Sequence, residues 1–183
     1  MAQLKYAKID KITGKKVIVN LKDVSPYWLY DTKTVTTTAR EVSFFSNINN
    51  NDPVATDMLQ PSQLPRGWKF VMFSIRVVPD FSASADDVAT LVFNSILEFK
   101  KEGSEIFKAP TFIFNAGAGV YGGTNTTTNG FPSTQALLTL PLQIELIGSQ
   151  PFEFTLVKDA TLNNDVDVKL QLDGIIYRNI PSA

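Results

Sequence analysis

The 183-residue chain contains no histidine and no cysteine, and its 17 basic and 18 acidic side chains nearly cancel. The double absence removes the groups that carry most proton transfer near neutral pH, thiolate attack and zinc ligation, so any chemistry falls to carboxylates, Lys, Tyr, Ser or Thr. A chain of this size buries roughly 70% of its unfolded surface without staples; no metal or cofactor is expected, and the absence of an apolar leader or of a run of about 20 apolar residues predicts folding in a cytoplasm.

Residues 1–22 hold Lys5, Lys8, Lys11, Lys15, Lys16 and Lys22 against Asp10, so they carry +5, while the remainder carries six more acids than bases. Two readings of this basic arm stand side by side: contact with phosphates of nucleic acid or lipid headgroups, or a solvated hairpin that turns at Ile12-Thr13-Gly14-Lys15 before the strand-like Val17-Ile18-Val19. Residues 1–40 are assigned to this arm and its extension, and 41–183 to one sandwich domain. Trp28, Tyr30 and the threonines 34 and 36–38 follow the arm, then a short strand over 41–46. The stretch 47–65, with Asn49-Asn50-Asn51-Asp52-Pro53, Pro61 and Pro65, reads as an irregular surface excursion.

From Trp68 to Val78 a long strand places Val71, Phe73, Ile75 and Val77 on one face, with Trp68, Phe70 and Met72 as a second apolar face that something must cover. Ser84 with Asp87 forms a capping box, and Val88, Leu91 and Val92 follow at helical spacing, predicting a helix over 85–94. Strands resume over 96–101, turn at Gly103, and continue over 105–108 and 111–115. In the last third Leu142, Ile144 and Leu146, then Phe152, Phe154 and Leu156, then Val166, Val168, Leu170 and Leu172 alternate with polar residues. Gly174 breaks the last alternation and reads as a bulge bending the final strand. The expected fold is an all-β antiparallel sandwich with one short helix, its core including Phe73, Ile75, Ile144, Leu146, Phe154, Leu170 and Leu172.

Three constellations invite chemistry. Gly117-Ala118-Gly119-Val120-Tyr121-Gly122 has dinucleotide-fingerprint spacing, but the following Gly123-Thr124-Asn125 cannot open a helix to receive a pyrophosphate; residues 116–133 read instead as a long contact loop. Pairing Ile144 with Phe154 and Leu146 with Phe152 sets Glu145 opposite Glu153, either as a glycosidase-type pair or cation site, or as a slipped register or neighbours of a Lys or Arg. Asn163-Asn164-Asp165 with Asp167 offers calcium-type oxygens but reads first as an Asn-rich turn.

Ser43-Phe44-Phe45, Met58-Leu59-Gln60 and Leu64-Pro65 before a long apolar strand, the loop Ala116-Gly117-Ala118-Gly119, and the closing Leu172-Asp173-Gly174-Ile175-Ile176-Tyr177-Arg178 resemble the jelly-roll capsid proteins of small tailless bacteriophages. The resemblance covers roughly 41–180 and implies a single jelly roll that self-assembles into an icosahedral shell, as major or minor (penton) subunit, in virions assembled in the host cytoplasm. It implies no catalytic residue and no small-molecule substrate. The partners it implies are copies of the chain and other capsid proteins, with packaged genome or internal membrane met through the basic arm facing the interior. Trp68, Phe70, Met72, Gly117, Gly119, Tyr121 and Phe131 are the expected interface residues, unless the segment around Trp28 and Tyr30 covers the strand. The alternative is a lectin-like or carbohydrate-binding sandwich using exposed aromatics, with Tyr27, Tyr121 and Phe131 as candidates. An enzyme has only the Glu145 and Glu153 pair as a foothold.

Overall fold

Alternating apolar residues along eight strands build two antiparallel sheets that close face to face on one core. The structure, a computed structural model, describes residues 5–9, 16–20, 23–46, 52–80, 82–115 and 138–178. Strands β1 (Lys5–Ile9) and β2 (Lys16–Asn20) pair as a two-stranded sheet of their own. One four-stranded sheet runs in the order β3-β10-β5-β8, from β3 (Val24–Val35), β5 (Lys69–Pro79), β8 (Thr139–Ile147) and β10 (Val166–Tyr177). The other runs β4-β9-β6-β7, from β4 (Glu41–Phe44), β6 (Ser95–Lys101), β7 (Ser104–Pro110) and β9 (Phe152–Lys158). The fold is an all-β antiparallel sandwich. Because β3 pairs with β10 along its whole length, residues 24–35 belong to the sandwich, and the segment outside it ends before Val24 rather than at residue 40.

Strand pairing is nested: β3 with β10, β4 with β9, β5 with β8, and β6 with β7. The innermost pair turns through Glu102 and Gly103, both at positive φ (51° and 78°), as a two-residue type I′ hairpin requires. Helix α1 (Ala85–Phe93) starts where Ser84 accepts the Asp87 N–H, and a short 3-10 helix spans Thr111–Phe114. The Asp87 carboxylate in turn accepts the Ser84 hydroxyl at 2.7 Å and the backbone N–H groups of Asn163 at 2.6 Å and Asn164 at 3.2 Å. This acid therefore fastens α1 to the β9–β10 turn. Burial alone would raise its pKa, yet the hydrogen bonds from Ser84, Asn163 and Asn164 outweigh it and hold the carboxyl below its usual range.

The core is rich in phenylalanine on the β4-β9-β6-β7 side. Phe99 and Phe154 stack at 4.3 Å, and Phe45 meets Phe152 and Phe154 edge-on at 5.6 and 6.0 Å. Each such pair adds about 0.5–1.5 kcal/mol beyond area burial. Ile75, Leu146, Leu170 and Leu172 face these rings and are buried as expected, while Ile144 is partly buried against the same cluster.

Strand β5 departs from the sequence expectation. Met72 faces Gly174 while Ser74 faces Asp173, so Phe73 is an extra residue with no opposite number. Such a bulge reverses which side chains point inward. Phe70 and Met72 before it and Ile75 and Val77 after it are all buried in the core, and Phe73 itself, expected inside, is only partly buried. The irregularity expected at Gly174 thus lies on the neighbouring strand. Gly174 has a different role: a Cβ there would stand 2.2 Å from the Val71 carbonyl oxygen and 2.6 Å from the Phe70 ring. The phenylalanine ring occupies the space that a side chain would need. Gly174→Ala should therefore destabilise the fold by about 3 kcal/mol or more, the upper range for overpacking, read as a lower urea midpoint at unchanged slope; an unchanged midpoint would show that the ring has room to move.

Candidate functional site

The expected interface residues separate. Phe70 and Met72 are fully buried within the sandwich, so they present nothing to a neighbour. Trp68 is partly buried at the core margin, where the Arg178 guanidinium lies 5.0 Å from its ring and 5.3 Å from that of Tyr27. The cover expected from Trp28 and Tyr30 is not present either, because both lie on the outer face of the same sheet, opposite Asp173 and Gln171 on β10. Gly117, Gly119, Tyr121 and Phe131 lie outside the described residues, as do Lys11 and Lys15. Lys5, Lys8 and Lys16 occupy positions in the β1–β2 pairing.

Glu145 and Glu153 do not face each other. Strand β8 pairs with β5 and strand β9 with β4 and β6, so the two acids sit on different sheets. Glu145 pairs with Lys69 at 2.6 Å, and Glu153 accepts the Ser43 hydroxyl at 3.1 Å. The short β8–β9 link suggests a hairpin but crosses between sheets. Gly148 makes the crossing, with its Cβ position 2.2 Å from the Pro65 carbonyl oxygen. The calcium-type oxygens are also apart in role: Asp165 accepts the Thr37 N–H at 2.9 Å and Asp167 the Thr34 hydroxyl at 2.6 Å. Among the described residues no group of three or more acids is placed to hold a metal ion.

The excursion 52–65 has a definite place against the open edge of β3. Thr56 bridges Asp31, and the Thr32 N–H donates to the Ala55 carbonyl at 2.8 Å. Two acids anchor it. Asp31, 1% exposed on a strand interior, accepts the Phe45 N–H at 2.6 Å, with Lys33 at 3.4 Å. Asp57 accepts the Tyr30 N–H at 2.9 Å. Burial pushes the Asp57 carboxyl up to about 6, against the hydrogen bonds of Tyr30 and Tyr27 and with the charge of Asp31 adding to the rise. Burial raises Asp31 as well, opposed by the Phe45 N–H and Lys33. The sequence carries one signal for this pair, Asp31 directly after the aromatic and aliphatic run Tyr27-Trp28-Leu29-Tyr30, and none for Asp57.

Two exposed surfaces carry groups suited to contact. On the outer face of the β3-β10-β5-β8 sheet, Trp28 is 53% exposed beside a closed polar network. Asp173 accepts Arg76 Nε at 2.8 Å and Nη2 at 2.7 Å, Ser74 Oγ at 2.7 Å and Gln171 Nε2 at 2.8 Å, which fills the acceptor sites of its two oxygens. Beside the other sheet, Phe93 at the end of α1 and Phe112 in the 3-10 helix are 67% and 48% exposed around a depression of about 810 Å3 edged by Arg40 and Lys108. No protein-family model, curated protein or solved structure matches this chain.

The Asp57 site generates a pH dependence. A carboxyl whose folded pKa is raised contributes stability that is complete below its ordinary 3.8 and is lost as pH rises through about 6. The stability of the wild type minus that of Asp57→Asn should therefore fall across this window and level off above it. Urea unfolding of both proteins at stepped pH checks it, and a flat difference would remove the ionised acid from the account.

Proposed function

We propose that this chain is a structural subunit of a viral, bacteriophage-type capsid, built as a single jelly roll and assembling with copies of itself and other capsid proteins into an icosahedral shell. The observation that carries the reading is the nested strand pairing, in which the first sandwich strand pairs with the last and the innermost pair closes on a tight hairpin. Rolling such a four-pair ribbon on itself gives two Greek keys and the two interleaved sheets of a jelly roll. Exposed apolar side chains support association as well: Ile106, Phe112, Leu142 and Ile147 are 46%, 48%, 78% and 42% exposed. They lie on or next to β7 and β8, which close the two sheets on one flank. In this reading the chain has no substrate and no catalytic group, it resides in the virion, and residues 116–133, which lie outside the described residues, supply a contact with the next subunit.

One observation favours a second reading, a carbohydrate-binding sandwich. Trp28 offers an exposed indole face beside Arg76 and Gln171, whose remaining N–H and carbonyl groups suit sugar hydroxyls. The two readings separate on the behaviour of the purified chain. The shell reading expects a closed symmetric multimer, with Gly119→Asp or Tyr121→Asp abolishing assembly while the far-UV circular dichroism of the subunit stays native. A chain that sediments as a monomer over a wide concentration range, is absent from purified particles, and binds a glycan array through Trp28 would replace the shell subunit with the binding module.

A further inference from the structure

Charge is divided along the length of this molecule. Residues 1–22 carry +5, their strands form a sheet separate from the sandwich, and a lone two-stranded hairpin is marginal in water without a surface to lie on. That segment enters the sandwich at Val24, the first residue of β3, which is paired with Tyr177 at the end of β10. Lys69, opposite Tyr177 on β5, is neutralised by Glu145 at 2.6 Å, so the positive charge at this pole is that of residues 1–22.

At the opposite pole one groove is acidic. Around Thr34 and Asp167, which face each other near the other end of the β3–β10 pair, lies a groove of about 510 Å3. Asp52, Asp80 and Asp167 line it against the single cation Lys169, together with the apolar Val78 and Pro79. Lys169 is turned toward the Tyr30 ring at 5.2 Å. An adjoining depression shares Thr34, Asp80 and Asp167 and adds Asp165. Asp52 accepts the Val54 N–H at 3.0 Å, while Asp165 and Asp167 accept from Thr37 and Thr34; these neutral donors leave their negative charge in place. Val54 is 73% exposed at the groove's lip. About ten strand residues at roughly 3.3 Å each put the poles on the order of 33 Å apart, beyond about three screening lengths at 0.1 M salt.

We infer that this groove receives the lysine-rich residues 1–22 of a second copy of the chain. The contact joins unlike surfaces head to tail, so it propagates around a ring or along a shell instead of closing a two-fold pair. Opposite charge at opposite ends both steers the encounter and disfavours head-to-head approach. The inference rests on the assembly reading above and names one of its contacts.

Sedimentation of the full chain at about 0.1 M and about 1 M salt, where screening lengths are about 10 and 3 Å, tests it. The wild type should associate at the lower salt and dissociate at the higher. The double variant Asp52→Asn with Asp167→Asn keeps both hydrogen-bond acceptors but removes two charges, and should associate about tenfold more weakly with unchanged circular dichroism. Exchanging the signs, with Lys8→Glu, Lys11→Glu and Lys16→Glu combined with Asp52→Lys and Asp167→Lys, should restore association that each folded half of the exchange has lost. If neutralising the groove leaves association at the wild-type level, the groove contact is wrong while the shell subunit stands. If the arm variant associates normally but no longer retains a single-stranded oligonucleotide, the arm's partner is phosphate and the inference fails. A wild type that is monomeric at both salts overturns this contact and the assembly reading together.

Discussion

The sandwich depends on a change of face in the middle of β5. A regular strand of its length would send Phe70 and Met72 to one side and Ile75 and Val77 to the other, stranding one pair in water. The single extra residue at Phe73 brings all four into the same core, and Gly174 on the adjoining strand leaves the volume that the Phe70 ring then fills. Four large side chains and one missing side chain therefore form a single packing unit. At about 1.5–3 kcal/mol for each buried large apolar side chain, its disruption is comparable with the whole net stability of an ordinary domain.

The same unit constrains the partner strands. β10 is central, hydrogen-bonded to β3 on one side and β5 on the other, and its alternation continues through Gly174 to the buried Ile176. Its position closes a circuit from the first sandwich strand to the last. Most strand pairs join segments far apart in sequence, which places folding among the slower, non-local topologies. Within the sandwich the β6–β7 hairpin is the local exception, and Phe99 and Phe107 face each other across it at 5.5 Å. These rings continue into Phe154 of β9, so the aromatic cluster links this hairpin to the strand that arrives late in the chain.

What the sequence displayed, and what it concealed, follows from periodicity. In β6, β9 and β10 the residues expected inside are inside, because a pleat of two residues acts on each strand alone. The helix was legible for the same reason: Ser84 and Asp87 are three residues apart and need no distant partner, and α1 ends at Phe93 with Asn94 as its cap, one residue short of expectation. Alternation alone points Phe73 inward, because a bulge is a property of a pair of strands, and Gly174, the visible signal, lies on the partner. Adjacency in sequence sets Glu145 opposite Glu153, since neighbouring strands usually pair, whereas the alternative of a neighbouring Lys holds for Glu145 through Lys69. Here the link through Gly148 and Ser149, the latter at a φ of 68°, carries the chain from one sheet to the other. The buried Asp31 and the partly buried Asp57 carry no such periodic signal, because an Asp on a strand interior or in an excursion has meaning only once the two are known to pack together.

That excursion, laid along β3 and held at Thr56, bears on behaviour in a crowded solution. An uncovered strand margin is a template on which any extended chain, including a partly folded sibling, can add itself and start a fibril. Residues 52–57 occupy the margin of β3 with a bridge at Asp31 and the Thr32 amide already bonded, and Pro53 has no N–H to offer a newcomer. The segment that sequence alone marks as filler between strands thus acts as a selvedge, a finished border that keeps the fabric from growing sideways.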